Sequence, residues 1–127
     1  MSTLSRDRCG DTARLRLLRP DTISLDWGAT TEVLLCRDLI FTHSVGNHTE
    51  LVADGRTLKV HCPLKVVITT LGPALLVQVR RNIAVNTARV HRVIGRGRHR
   101  VVVVLDGGMT IPVGRQFQTT LRSRFGR

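Results

Sequence analysis

Short apolar segments separated by turn residues run through most of the chain from Thr22 onward, a pattern typical of β-strands. In several of these segments apolar and polar residues alternate, which indicates strands with one buried face. Asp54-Gly55 separates two of them, and Asp-Gly in this setting is a strong short-range signal for a β-hairpin. The sequence therefore predicts a mainly β fold. The predicted strands are Ile23–Trp27, Glu32–Cys36, Leu39–Val45, Thr49–Ala53, Thr57–His61, Leu75–Val79, Ile83–Asn86, Val90–Ile94, His99–Leu105 and Met109–Val113.

Two segments have helical rather than alternating spacing. Apolar residues recur three and four positions apart from Leu64 to Leu71, directly behind Pro63, a residue favoured in the first turn of a helix. This pattern predicts one short internal helix that ends near Gly72. In Gln116–Phe125 an apolar residue recurs at every fourth position, which predicts an amphipathic C-terminal helix.

The first twenty residues differ from the rest of the chain. Residues 1–20 are polar, carry scattered charges and end at Pro20. We expect a flexible N-terminal arm, with a short helix around Thr12–Leu18 as one option, followed by a single domain over residues 21–127. The arm lacks the apolar segment of a signal peptide, and no stretch of the sequence approaches the roughly 18–20 apolar residues of a membrane helix. We therefore expect a cytoplasmic protein that is not embedded in a membrane.

Charge is distributed unevenly along the chain. The formal net charge is +11. Residues 1–64 contain eight basic and eight acidic residues, whereas residues 65–127 contain twelve basic residues and the single acid Asp106. A cationic surface of this kind has a cost in self-repulsion, and a polyanionic partner explains it better than solubility alone. Eleven of the twelve basic residues are Arg, whose planar guanidinium suits phosphate and guanine edges.

No enzyme, cofactor or metal motif is present in the sequence. The glycine-rich nucleotide loops, the serine-nucleophile turn and the zinc-protease helix signature are all missing, so we expect no catalytic residues and no cofactor. His43, His48, His61 and Cys62 are close in sequence, but neighbouring strand residues point to opposite faces, so we expect no metal site. The cysteines Cys9, Cys36 and Cys62 are odd in number and lack a paired spacing, as expected of reduced thiols.

Three polar spots next to strand ends are candidates for binding. They are Gly46-Asn47-His48, Arg80-Arg81-Asn82 and Gly114-Arg115-Gln116. The first is also explained by an ordinary hairpin turn, and the second by solvated charge at a strand end. The third places Arg115 at the start of a helix, where a cation opposes the helix dipole unless an anion is bound there.

Ordered blocks of the sequence resemble the LytTR DNA-binding domain, which occurs in bacterial transcription regulators of the LytR/AlgR type. Val79–Val85 followed by Asn86 is similar to the R-x-H-R-S-x-x-V-N core of that family. Asp106-Gly107 with Ile111–Arg115 resembles its dG…iPVSR block. These two blocks contain two of the three polar spots.

Further parts of the chain extend the resemblance. Asp38–Phe41 with Gly46–His48 is similar to the DIiyie…gNy segment of the family, and Leu64 to the residue that opens its helix. The blocks follow one another in the family's order from Thr22 to Phe125. The resemblance implies an elongated fold of stacked antiparallel sheets with a short internal helix and a C-terminal helix. Because residues 1–20 are too short for a receiver domain, we expect a regulator that stands alone.

The resemblance also implies a function. LytTR domains insert loops into successive major grooves of double-stranded promoter DNA, bind direct repeats as pairs and bend the DNA. Carried over by position, the DNA-contacting residues are Asn47 or His48, Arg81 and Arg115. Adjacency adds three further candidates: Arg80, Asn82 and Gln116. An inhibitory or co-regulatory protein remains an open option as a partner, and we expect no small-molecule substrate.

The chain departs from the family pattern at three positions. Arg80 stands where the family has His, and Asn82 and Gly114 stand where it has Ser. These changes leave the expected fold intact, but the base preference can differ from that of other members.

A basic β-rich RNA-binding or ribosome-associated protein is the alternative interpretation of the composition. Modules that bind single-stranded RNA stack bases on exposed aromatic side chains. The chain has three Phe, one Trp and no Tyr, and their patterns place most of them in the core. The shortage of aromatic residues therefore counts against this alternative.

Overall fold

The computed structural model describes residues 14–19, 21–26, 29–95 and 100–125. Eleven strands and two α-helices lie within these ranges. The strands are β1 Arg14–Arg19, β2 Thr22–Asp26, β3 Thr31–Leu35, β4 Leu39–Val45, β5 His48–Ala53, β6 Arg56–Val60, β7 Leu76–Arg80, β8 Ile83–Asn86, β9 Val90–Gly95, β10 Val101–Leu105 and β11 Thr110–Pro112. The helices are α1 Leu64–Leu71 and α2 Gln118–Arg124, and short 3-10 turns are formed by Cys36–Asp38, Thr87–Arg89, Asp106–Gly108 and Arg115–Phe117.

The strands form three antiparallel sheets. The N-terminal sheet has the order β1-β2-β3, the central sheet β6-β5-β4-β8-β7 and the C-terminal sheet β11-β10-β9. In the central sheet β4 pairs with β8, which lies about forty residues further along the chain. This long-range pairing joins the hairpin of β4 and β5 to the hairpin of β7 and β8.

The central sheet is buried on both faces along β7 and β8. Along β7, Leu76 belongs to one hydrophobic cluster and Val77 to the other, and Ala84 and Val85 divide in the same way on β8. Because successive side chains of a strand point to opposite faces, this division shows that a core lies on each side of the central sheet. Such strands carry continuous apolar runs rather than a strict alternation.

The first core lies between the central sheet, the N-terminal sheet and α1. Ile23 and Leu25 of β2 are fully buried there. One face of α1 closes the core through Leu64, Val67 and Leu71, all at most 5 % exposed. The spacing of these three residues is the helical spacing seen in the sequence.

The second core lies between the central sheet, the C-terminal sheet and α2. Val103 and Leu105 of β10 contribute fully buried side chains, and Leu121 is the buried residue of α2. Phe117 and Phe125 pack against this cluster while remaining partly exposed. The prediction of a mainly β fold of stacked antiparallel sheets with an internal and a C-terminal helix is confirmed.

A buried asparagine joins the end of β8 to the start of β4. The Asn86 side chain is fully buried, and its Nδ2 donates to the carbonyl oxygens of Cys36 at 2.9 Å and Leu39 at 2.7 Å. Its Oδ1 accepts a hydrogen bond from the backbone N–H of Ala88 at 2.9 Å. Each polar atom of this side chain is therefore paired, as a buried amide requires. Asn86 is the final residue of the family motif seen in the sequence, and its role here is structural.

An arginine connects the central and C-terminal sheets at the same end of the molecule. Arg89 Nη2 lies 2.6 Å from Asp54 Oδ2 in the β5–β6 turn, and its Nη1 lies 3.2 Å from Asp106 Oδ2 after β10. The Arg89 side chain is only 16 % exposed. Asp106, the one acidic residue of the basic half, is thus used in an internal ion pair.

The predicted strands and helices agree with the structure to within one or two residues at most described ends. The C-terminal helix begins later than predicted, because Arg115–Phe117 forms a 3-10 turn before α2. Trp27 and His99, predicted as strand ends, lie outside the described residues.

The suggestion of a helix around Thr12–Leu18 is wrong for the described part of that segment. Arg14–Arg19 is a strand that pairs with β2, with Leu15 opposite Leu25 and Leu17 opposite Ile23. The alternation of Arg and Leu at its start suits the edge of a half-buried sheet. The rest of the expected arm lies outside the described residues, and the division into residues 1–20 and 21–127 stays a prediction.

We expect Asn86→Ala to lower the free energy of unfolding by roughly 2–4 kcal/mol, because the carbonyls of Cys36 and Leu39 and the N–H of Ala88 each lose a hydrogen bond at a buried side chain. Chemical denaturation followed by circular dichroism measures this change. The matched control is Asn82→Ala in an exposed turn, for which we expect a change within about 0.5 kcal/mol. Equal effects of the two substitutions would contradict the structural role of Asn86.

Candidate nucleic-acid interface

The three polar spots of the sequence lie at turns that follow strand ends. Gly46 and Asn47 form the turn between β4 and β5, where Gly46 adopts a positive φ of 62° that suits glycine. Arg81 and Asn82 form the turn between β7 and β8. Gly114 links β11 to the 3-10 turn that begins at Arg115. We call residues 46–48, 80–82 and 114–116 together the three-turn surface.

Hydrogen bonds hold these turns against one another. The N–H of Ser44 donates to the carbonyl of Asn82 at 2.9 Å, which joins the first turn to the second. The N–H of Gly114 donates to the carbonyl of Val79 at 2.7 Å, and Arg80 Nη1 donates to the carbonyl of Pro112 at 3.2 Å. The second turn is therefore connected to both of the others.

Two clefts lie between the turns, and Arg81 lines both. The first cleft is bounded by the 46–48 turn and by the start of α1. The second is bounded by Arg80 on one side and by Arg115, Gln116 and Phe117 on the other. Arg81 therefore stands between the first and third turns, and Gln78 Nε2 fixes its backbone by donating to its carbonyl at 3.1 Å.

The surface is cationic and its charges are not neutralised. Arg81, Arg115 and Lys65 are exposed, and none of them has a carboxylate partner among the residues that the structure describes. Arg residues without an internal partner keep their donors available for phosphate or base edges. This arrangement can bind a polyanion without first breaking an ion pair.

Asn47 and His48 differ in their exposure. Asn47 is exposed at the tip of its turn. The His48 side chain is only 16 % exposed, its ring packs against His61 at a centroid distance of 5.6 Å, and its Nε2 is 3.6 Å from Glu50 Oε2. The other carboxylate oxygen, Glu50 Oε1, is hydrogen-bonded to His43 Nε2 at 3.0 Å. Of the two candidates at this turn, Asn47 has the accessible side chain.

The remaining candidates are also exposed. Asn82 and Gln116 both present exposed side chains, while the Asn82 carbonyl is used in the bond to Ser44. Six of the seven predicted residues thus lie exposed on one connected surface, with His48 at its half-buried edge. The sequence reasoning missed Lys65 and Gln78. Pro63 is the sequence signal for the start of α1 directly after β6. Because β6 pairs with β5, this start could have been expected near the first turn, and Lys65 with it.

The histidine and cysteine residues do not form a metal centre in the described ranges, since no three His, Cys, Asp or Glu side chains are arranged to share an ion there.

Cys36 is buried and Cys62 is half-buried, and neither forms a disulfide. Burial raises the pKa of the Cys36 thiol, with a smaller contribution from Asp21, and burial alone raises the pKa of Cys62. Within the described ranges no helix is long and apolar enough to cross a membrane.

Comparison with known proteins decides the family. The model of the LytTr DNA-binding domain family matches residues 29–126, more than three quarters of the chain. The chain belongs to the LytTR family. This finding confirms the resemblance seen in the sequence blocks. A search of curated proteins finds no match.

A solved structure has the same LytTR fold. The chain is similar to the LytTr DNA-binding domain of a methyl-accepting/DNA response regulator from Bacillus cereus, with a TM-score of 0.72 and 14 % sequence identity. The match covers 84 % of this chain and 98 % of that one. The likeness therefore extends over the whole of the solved domain and supports the stacked-sheet architecture.

Membership of the LytTR family gives the function in outline. LytTR domains are DNA-binding domains of transcription regulators and are not a catalytic family. DNA binding in transcription regulation therefore follows for this LytTR protein, and the RNA-binding alternative is not favoured.

We expect both described thiols to react slowly with iodoacetamide at neutral pH, because a raised pKa keeps a thiol protonated and only the thiolate attacks. The rate should rise with pH as the thiolate fraction grows, and it should level off only above the raised pKa values. Mass spectrometry of a Cys9→Ser variant measures alkylation at Cys36 and Cys62 separately. In urea, where burial is lost, both should react clearly faster, and equal rates in folded and unfolded protein would contradict the burial effect.

Proposed function

We propose that this LytTR protein recognises a specific sequence in double-stranded promoter DNA through its three-turn surface. The observation that carries the proposal is the position of Arg81, which is exposed, has no ionic partner among the residues that the structure describes, and is shared by the clefts on either side of it. A surface with a cation at its centre and polar side chains on both flanks suits the edge of a duplex. The protein acts on DNA by binding and performs no chemistry on it.

Arg81 and Arg115 are the proposed base-reading residues. A guanidinium can donate two parallel hydrogen bonds to the O6 and N7 atoms of guanine in the major groove. Asn47, exposed at its turn, suits adenine in the same way, because its amide both donates and accepts. Gln116 and Asn82 flank these residues and add polar contacts. The half-buried His48 stabilises the first turn by packing against His61.

Arg80 and Lys65 are proposed to act differently from Arg81. The bond from Arg80 to the Pro112 carbonyl ties the second turn to the end of β11, so Arg80 positions the turns and contacts phosphate with its remaining donors. Lys65 lies beside the first backbone N–H groups of α1, at the first cleft. A helix start favours phosphate through its unpaired N–H groups, and these contacts supply affinity without base preference.

The arrangement of the turns supports contact with more than one groove. The first and third turns lie on opposite sides of the second, so a duplex that follows the surface meets them one after another. We propose that the turns enter successive major grooves and that the DNA bends to reach them. We also propose that two copies bind neighbouring direct repeats in a bacterial promoter, which places the protein in the cytoplasm.

Selection of bound sites from a random duplex pool tests the proposal, with binding repeated over a salt series. We expect a pair of short direct repeats to be enriched. If about five phosphates are neutralised, the logarithm of the binding constant should fall with the logarithm of salt at a slope of roughly −4 to −5. Absence of an enriched motif, together with a uniform loss of affinity in salt, would contradict sequence recognition.

We expect Arg81→Ala and Arg115→Ala each to reduce discrimination between operator and random DNA by about 1–3 kcal/mol, roughly fivefold to 150-fold, because each removes a two-bonded base contact. Competition binding measures this ratio. Arg37→Ala, which removes an exposed charge outside the three-turn surface, is the matched control and should preserve the ratio. Full discrimination in both test variants would rule out the proposed contacts.

Bending and pairing have their own test. We expect operator fragments with the site at the centre to migrate more slowly in complex than fragments with the site at one end, since a central bend shortens the end-to-end distance. Native mass spectrometry of the complex should show two protein chains per operator. Equal mobility for all positions would exclude bending, and a single chain would exclude pairing, without affecting base recognition.

A further inference from the structure

A second concave site lies between β9 and the end of α2. It is a groove of about 410 Å³, within the range of roughly 300–1,000 Å³ that small-molecule sites occupy. Residues from three elements line it, and we call it the β9–α2 groove. The lining residues used below are Val93, Val101 and Phe125, and His91, Arg92 and Arg122.

The floor of the β9–α2 groove is apolar. Val101 is buried, and Val93 and Phe125 pack against the second core while remaining partly exposed to the groove. Apolar surface that is left open to water in a concavity is a common mark of a binding site. A contact that only neutralised phosphate would have no use for this floor.

The rim of the groove is cationic. Arg92 and Arg122 are exposed cations and His91 is an exposed imidazole beside them, and none of these three side chains has a hydrogen-bonded or ionic partner in the described part of the chain. Among the described residues, no acidic side chain lines the groove. The chemistry of the site is therefore an apolar floor with unpaired positive groups beside it, which complements a molecule with an apolar body and an anionic group.

The β9–α2 groove is separate from the surface proposed to bind DNA. It shares no lining residue with either cleft of the three-turn surface. Its position on α2 nevertheless places it on the helix that directly follows Arg115–Phe117. The groove can thus be occupied while the three turns remain exposed.

We propose that the β9–α2 groove binds a small amphipathic anion, with an apolar body on Val93 and Phe125 and a carboxylate, sulfonate or phosphate beside Arg92 and Arg122. The ligand is bound and not converted. Binding of such a ligand is independent of base recognition and goes beyond the DNA-binding function. A volume of about 410 Å³ suits a compact aromatic or short aliphatic acid better than a folded protein segment.

The test uses 8-anilinonaphthalene-1-sulfonate as the probe, with the full chain in its folded state. Its uncharged analogue N-phenyl-1-naphthylamine has the same aromatic body and lacks the sulfonate. Calorimetry measures affinity, and amide chemical shifts in ¹⁵N-labelled protein show which residues the probe contacts. We expect saturable binding of the sulfonate with shifts concentrated at β9 and α2, and binding of the neutral analogue weaker by about tenfold or more.

Charge reversal in the rim separates this site from nonspecific attraction. We expect Arg122→Glu and Arg92→Glu each to weaken probe binding by about tenfold, because a carboxylate then faces the sulfonate. Arg37→Glu makes the same change in net charge at an exposed position outside the groove and should change the affinity by less than about twofold. Two rim variants are used so that a folding defect in one, visible by circular dichroism, leaves the other to decide.

Each other outcome overturns the proposal in a recognisable way. Equal binding of the charged and neutral probes would show an apolar surface without anion selection. Equal weakening by Arg37→Glu would show a long-range charge effect. Displacement of the probe by nonoperator duplex DNA would assign the groove to the DNA surface, and binding only of an acidic peptide would assign it to a protein partner.

The failure of this proposal can be told from the failure of DNA recognition. Arg81→Ala should lose discrimination between DNA sequences and keep the affinity for the probe, whereas Arg122→Glu should show the reverse. If Arg81→Ala lost probe binding as well, the groove would not be an independent site.

Discussion

Burial of the strands β7 and β8 on both faces is the constraint on which the rest of this structure depends. Because one core lies on each side of β7 and β8, most side chains of these strands are apolar, and the buried polar side chain of Asn86 at the end of β8 is fully paired. The exposed polar and cationic residues of these two strands therefore lie at the strand ends and in the turn between them, as Arg80, Arg81 and Asn82 do. The same restriction concentrates the polar groups that can meet DNA in the turns, while packed strands hold those turns in place.

The two ends of the molecule use charge in opposite ways. At one end Arg89 joins Asp54 and Asp106 in an internal ion pair that connects two sheets. At the other end Arg81 and Arg115 have no carboxylate partner in the described residues. Since Asp106 is the only acid of the basic half and is already paired, the positive field of the three-turn surface is not cancelled locally. The protein thus has a large net positive charge, and part of that charge is concentrated at the three-turn surface.

The spacing of apolar residues along the sequence predicts most strands and both helices, because alternating and helical spacing depend only on residues that are close in sequence. The sequence pattern does not predict the strand Arg14–Arg19, since the adjacent Leu17 and Leu18 break its alternation before Pro20. The meeting of the three turns could not be read from pattern alone. It results from the pairing of β4 with β8 and from the bond of Gly114 to Val79, and both join residues that are far apart in sequence. The resemblance to a family supplied what periodicity could not.

The departures from the family pattern acquire a physical meaning in this geometry. Arg80, where the family has His, uses one donor on the Pro112 carbonyl and so ties the second turn to the segment that carries Arg115. At Gly114, where the family has Ser, an added Cβ would lie 3.1 Å from Phe117 Cδ2. The missing side chain therefore lets the Phe117 ring approach the backbone closely, and Phe117 belongs to the same 3-10 turn as Arg115. Both changes act on the position of Arg115 rather than on the fold. If Arg115 reads bases as proposed, a recognition sequence transferred from another family member would ignore this difference in its position.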